Sequence, residues 1–191
     1  KYIHPDLAAN MWVNTKEKKD GSDTDGNGYI DDIYGYNFKD NGPITWSDEG
    51  SSGHATHIAG TIAAVNGNGK GVCGIAGGGN GLGNGCKIMS CQVFSHGSTG
   101  SSASFSRAIK YAADNGASVI SCSYGIPMAI EGDAAYYKMS AAEIDAIRYF
   151  EATRNNSVLD GNIAIFAAGN EGRNNCSYPG ATRDFISVSA F

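Results

Sequence analysis

The sequence predicts an α/β fold, a mainly parallel sheet with helices on both faces, and three observations predict it. Strand-like and helical patterns alternate once past residue 50. The strand-like segments are short apolar runs, as expected of strands buried on both faces. The chain has 191 residues, enough for one domain that buries roughly 70% of its unfolded surface without a disulfide or metal staple.

The elements follow in order. From about His54 to Val65, Ile58, Ala59, Ile62 and Ala63 recur at helical spacing. Lys87 to Phe94 is a strand. Ser101 or Ser102 then caps a second helix whose face is Phe105, Ala108, Ile109 and Ala112, and Gly116 stops it. Ala117 to Ser123 is the next strand. Ser140-Ala141-Ala142-Glu143 has capping-box spacing and opens a third helix, carrying Ile144, Ile147 and Phe150 to about Asn155. Asn162 to Ala168 and Phe185 to Ala190 are two more strands. Ile126 to Gly161 adds this third helix and a polar turn at Glu131-Gly132-Asp133. Residues 1 to 53 read as polar, glycine-rich turns, and residues 66 to 86 as loop with ten Gly between Gly67 and Gly85.

Composition narrows the function classes. Nineteen acidic and fourteen basic residues give a net charge of −5, and no Lys/Arg cluster occurs beyond Lys16 to Lys19. That is the wrong sign for a nucleic-acid partner. No apolar run reaches the roughly 18 residues of a membrane span. The chain opens Lys1-Tyr2-Ile3-His4 with neither an apolar leader nor an initiator Met, which predicts a chain cut from something longer. Of the five Cys, Cys91 and Cys122 sit in apolar runs as small buried hydrophobes, while Cys73 and Cys86 flank the glycine-rich loop and could pair.

In an open parallel sheet, ligands sit at the carboxyl ends of the strands. Here those ends are Ser123-Tyr124-Gly125 and Ala168-Gly169-Asn170-Glu171-Gly172. The small residues and exposed polar tips suit a site approached by another backbone. His54 and His57 stand one turn apart on the first helix. They read as a general base plus a bystander, as two zinc ligands lacking a third, or as two ordinary helical His. Asn170 follows a strand, where a rigid neutral donor can serve as an oxyanion hole, or be a plain turn residue.

Four segments together resemble the subtilisin-like serine proteases, the subtilases. His54-Ala55-Thr56-His57-Ile58-Ala59-Gly60-Thr61 is similar to that family's histidine motif, and Ala167-Ala168-Gly169-Asn170-Glu171-Gly172 to its oxyanion segment. His4-Pro5-Asp6-Leu7 resembles the tail of its aspartate motif, and Ser121-Cys122-Ser123-Tyr124-Gly125 its substrate-binding strand. The order is the family's, over essentially the whole chain. The resemblance implies a doubly wound, mainly parallel fold and a serine endopeptidase. His54 would be the general base and Asn170 the oxyanion donor. Ser123, Tyr124 and Gly125 would pair with an extended peptide. Ala167, Ala168 and Gly169 would line the pocket for the residue before the scissile bond, with Glu171 near its base favouring a basic or polar side chain.

The resemblance also implies what these 191 residues do not hold. The family's Asp is expected a few residues before Lys1, and its Ser several tens of residues beyond Phe191. Residues 1–191 are therefore expected to be the central part of a single catalytic domain, incomplete at both ends and inactive alone. The missing pieces, or self-association, would cover its exposed edges. Ala55 stands where the family usually has Gly. A secreted or extracellular protein, including one on a bacterial cell surface, is the implied setting. A non-catalytic pseudo-protease that binds peptides or a protein partner through Ser123 to Gly125 is the alternative.

Calcium is the expected cofactor, for stability rather than chemistry. Asp23, Asp25, Asn27 and Asp31 space oxygens as positions 1, 3, 5 and 9 of an EF-hand-like loop, with Gly28 at position 6 and Tyr34 at position 12 in place of Glu. The resemblance adds a second site, Asp6 with Asn66 and Asn68 of the loop after the histidine helix.

Overall fold

A computed structural model describes residues 1–47, 52–95, 100–127, 140–172, 174–183 and 185–190. The chain forms two compact units, Lys1–Ser101 and Ser102–Phe191. The turn expected at Glu131-Gly132-Asp133 lies outside the described residues.

In the first unit a short 3-10 turn at Ala8–Asn10 precedes strand β1 (Gly35–Asn37), helix α1 (Ser52–Ala63) and strand β2 (Ser90–Gln92). β1 pairs with β2 in parallel, Gly35 opposite Ser90, Tyr36 opposite Cys91 and Asn37 opposite Gln92. Helix α1 is the crossover between them, as a parallel pair requires. β1 corrects the reading of residues 1 to 53 as turns alone. Its signal is the aromatic–small alternation Tyr34-Gly35-Tyr36-Asn37-Phe38, a strand former's pattern. Tyr36 and Phe38 are buried, and Tyr29 meets both rings edge-on, at 4.8 and 5.5 Å between centroids. Gly35 has φ +114°, and a Cβ there would lie 1.9 Å from Ser90 O. Only glycine lets the two backbones come this close.

The core beneath α1 is Leu7, Met11 and Ala64, with Tyr2, Tyr34, Ala59 and Ile88 packed on it. Met11 bridges Ile88 in parallel, so the residues before β1 also reach the sheet. Asn10, fully buried, anchors the glycine-rich loop. Its Nδ2 donates to Ala63 O (2.9 Å) and Gly77 O (3.1 Å), and its Oδ1 accepts from Gly85 N (3.1 Å). A loop poor in side chains is thus held by one polar hub, which leaves none of Asn10's polar atoms orphaned.

The second unit comprises helix α2 (Ser102–Asp114), strand β3 (Val119–Cys122), helix α3 (Ala141–Ala152), and strands β4 (Ile163–Ala167) and β5 (Ile186–Val188). The three strands lie in the order β3-β4-β5, all parallel. The expected capping box is present: Ser140 Oγ accepts from Glu143 N (3.3 Å), and Glu143 Oε2 accepts from Ser140 N (3.3 Å). Gly116 (φ +87°) ends α2, and Ala117 N reaches back to Ala112 O (2.9 Å). Tyr111, Ile147, Phe150, Ala164 and Phe166 fill the core between helices and sheet. All five cysteines are free thiols, Cys73 and Cys86 exposed. Burial pushes the Cys122 thiol up to about 11, so it stays protonated.

Candidate functional site

The candidate residues fall in both units. In the first, His54 lies in the opening turn of α1, exposed to solvent, and His57 stands exposed one turn further on. Among the described residues, the one cluster of His, Cys, Asp or Glu able to hold a metal contains neither of them. A zinc pair at His54 and His57 therefore gains no third ligand there.

In the second unit, the ends of β3 and β4 meet a third segment. Beyond β3, Tyr124 stacks its ring on Phe105 of α2 at 4.5 Å. Burial raises the Tyr124 hydroxyl well above its ordinary range. Ile126 then pairs with Tyr178 in an antiparallel bridge, its N–H reaching Tyr178 O at 2.8 Å. A Cβ on Gly125 would lie 2.8 Å from Ser177 Cβ, so this crossing also needs glycine.

Ala167 closes β4; Ala168 and Gly169 follow, half-buried, and Asn170 is exposed. Ser177 N donates to Ala168 O at 2.7 Å, which ties the third segment to β4. The Glu171 carboxylate turns back onto its own loop, its Oε2 accepting from Asn170 N at 3.0 Å. Ser177 carried no signal in the sequence, because its place depends on a loop folding back on two strand ends.

The acidic loop folds around a different set of oxygens from the one its spacing suggests. Glu17, Asp25 and Asp32 each bring a carboxylate oxygen within 4.8 Å of the others, with Glu17 and Asp32 buried. Asn14 Nδ2 donates to Asp25 Oδ2 (2.8 Å) and Asp32 Oδ1 (2.9 Å), and Asn27 Nδ2 to Asp32 Oδ2 (2.9 Å). Of the expected ligands, Asp25 and Asn27 are therefore at the cluster. Asp23 instead accepts from Asn27 N and Gly28 N (3.0 and 2.8 Å), and Asp31 from Asp20 N and Gly21 N (both 3.0 Å). Glu17, Asp32 and Asn14 escaped the spacing argument. Glu17 comes from outside the loop and folds in, accepting from Thr24 N (3.0 Å) and Asp25 N (3.2 Å).

Of the second expected set, Asp6 and Asn68 meet through a hydrogen bond, while the Asn66 side chain bonds to Gly74. Asp6 is buried, its Oδ1 accepting from Asn68 Nδ2 (2.8 Å) and its Oδ2 from Val72 N (2.9 Å). Asn66 Nδ2 donates to Gly74 O (3.1 Å), while its Oδ1 is buried without a hydrogen-bond partner. Both sites offer hard oxygen donors only, the set that suits Ca²⁺ rather than a softer metal. An unpaired oxygen and three crowded carboxylates each favour a cation.

Comparison with known proteins gives these geometries a context. Residues 1–191 match the profile of the Subtilase family, Peptidase_S8. Halolysin of Haloferax mediterranei is 32% identical over 190 residues, covering 100% of this chain and 28% of that protein. Subtilisin-like protease 1 of Plasmodium berghei is 45% identical over 76 residues, 39% of this chain and 12% of that protein. The chain thus spans well under half the length of these relatives. The crystal structure of the nisin leader peptidase NisP of Lactococcus lactis shares the fold, with a TM-score of 0.57 at 23% identity over 98% of this chain and 52% of that one. Among the described residues no helix is long and apolar enough to cross a membrane.

Proposed function

This chain belongs to the subtilase family, and from that premise we propose that it carries the general base and the oxyanion donor of a serine endopeptidase. The observation that carries the reading is Asn170, exposed at the carboxyl end of a parallel strand on a turn held from behind by hydrogen bonds. An amide so placed can donate to an oxygen that becomes negative as a peptide carbonyl is attacked.

The chemistry is acyl transfer. A serine hydroxyl attacks the scissile carbonyl, and His54 takes its proton. The Asn170 Nδ2–H donates to the oxyanion of the tetrahedral intermediate. His54 then returns the proton to the leaving amine, the C–N bond breaks, and an acyl-enzyme remains. Water, deprotonated by the same imidazole, releases the acid and restores the serine. The serine and the carboxylate that orients His54 come from sequence outside residues 1–191, so these residues alone do not hydrolyse peptides. Ser123 to Gly125 offers backbone groups to an extended substrate. Ala167 to Gly169 walls the pocket for the residue before the scissile bond. The partners are peptide substrates and the remainder of the catalytic domain.

A fluorophosphonate probe tests this directly. The full-length protein should be labelled on a serine beyond Phe191, and a chain limited to Lys1–Phe191 should not. An unlabelled but folded full-length protein would replace this reading with that of a peptide-binding pseudo-protease.

Calcium is the structural partner that these residues fit. Glu17, Asp25 and Asp32, with Asn14 and Asn27 around them, would hold one ion, and Asp6 with Asn66 and Asn68 another. Bound Ca²⁺ would neutralise the crowded carboxylates and pin both loops to the first unit. If the protein is secreted, these sites are expected in the affinity range of extracellular calcium modules, about 10⁻⁴ to 10⁻³ M. An ion at about a hundred times its Kd adds about 2.7 kcal/mol. Chelation is therefore expected to lower Tm by roughly 5–10 °C, and Glu17→Gln to shrink that response. A melting curve indifferent to EGTA would remove both sites.

A further inference from the structure

Glu171 does not extend away from its turn. Gly169 takes a positive φ of +106°, and the Glu171 side chain folds back onto the bend that follows it. One oxygen, Oε2, accepts from Asn170 N–H at 3.0 Å and from Ser177 Oγ–H at 3.4 Å. The space it occupies exists because residue 169 is glycine. A Cβ there would lie 2.5 Å from Glu171 Oε2 and 2.4 Å from Ser177 Oγ. Ser177 is itself 2% exposed and bound through its N–H to Ala168 O at 2.7 Å. One carboxylate oxygen therefore joins the main chain of the exposed turn to a buried hydroxyl fastened to β4.

We propose that Glu171 and Ser177 form a latch that fixes where the Asn170 carboxamide points. Glu171 is then a positioning residue for the oxyanion donor, and not primarily the partner of a basic substrate side chain. The proposal rests on the reading of Asn170 as that donor. Its physical basis is preorganisation. A donor helps the transition state to the extent that it is already aimed at the forming oxyanion, and displacements near 1 Å cost about a hundredfold in rate. A carboxylate accepting from a main-chain N–H forms the stronger, charge-assisted kind of hydrogen bond. It would hold a turn that otherwise has solvent on its outer side.

Two measurements test it together. In the full-length protease, Glu171→Ala is expected to lower kcat roughly tenfold, with KM within about twofold. The loss should be equal for peptides with Lys, Leu or Phe before the scissile bond. Glu171→Gln keeps an acceptor oxygen at the same reach and should recover most of it. In the same full-length protein, amide hydrogen exchange at Asn170 should quicken roughly tenfold in Glu171→Ala and rise in Ser177→Ala. The latch is overturned if Asn170 exchange does not change. The positioning role is overturned if Glu171→Ala and Glu171→Gln both raise KM, and only for the Lys peptide. A full-length protein inactive on every peptide overturns the catalytic assignment of Asn170, and exchange alone then decides the latch.

Discussion

Replacing His54 with alanine is expected to lower kcat/KM of the full-length protease by about four to six orders of magnitude. That is the range seen when the base of a serine–histidine pair is removed, because nucleophile, base and orienter act as one unit. His54 is solvent-exposed at the opening of α1, and its side chain is not part of the buried core. The substitution should therefore leave the melting temperature almost unchanged. Alanine is also a better helix former than histidine. His57→Ala is the matched control, one turn along the same exposed face, and should retain activity. Comparable losses in both variants would point to a helix whose integrity, not one imidazole, governs the rate. Steady-state kinetics on a chromogenic peptide, paired with thermal melts, separates the two outcomes.

The largest expected loss of stability is at Gly35. An alanine there meets two independent penalties. Its φ of +114° lies where side chains are rarely tolerated, and the added Cβ would stand 1.9 Å from Ser90 O. The first costs about 1–3 kcal/mol. The second cannot be relieved without separating β1 from β2, since the obstacle is backbone. A total of about 4 kcal/mol or more places the variant among the exceptional losses, equivalent to roughly 10 °C or more in Tm. Gly21 isolates the first term, with φ +80° and nothing within 4 Å of a Cβ. Gly21→Ala should cost about 1 kcal/mol. Circular dichroism melts showing equal losses for the two would contradict the close approach of the strands.

Legibility followed the range of the physics. α2, β3, α3 and β4 could be placed because their signals are local: an apolar stripe, a capping box, a stop glycine, a short apolar run. β1 was missed because Gly35 and Asn37, poor strand formers, interrupt its aromatic alternation, and its pairing partner lies far along the chain. The same division holds for the site. His54 and Asn170 are marked by contiguous motifs. Ser177 matters through a loop that returns to Gly125 and Gly169. At the acidic loop, spacing put an oxygen at Asp31, but the backbone there has φ 56° and its carboxylate caps Asp20 and Gly21 instead. The neighbouring Asp32 faces inward. A one-residue difference in direction is a property of backbone conformation, which a spacing template does not contain.

The parallel pairing has a kinetic side. Gly35 and Ser90 are 55 positions apart, and Val119 and Ile163 are 44. Bringing ends that distant together costs about 3.5 kcal/mol of chain entropy before any ladder hydrogen bond forms. The parallel pairs β1–β2 and β3–β4 cannot nucleate from a hairpin, so each must wait for its intervening helix to dock. Folds dominated by such distant contacts assemble slowly and spend that time with strand edges open to other chains. The arrangement that sets α1 between two strands, and His54 upon it, thus leaves the nascent chain open to aggregation for as long as α1 has yet to dock.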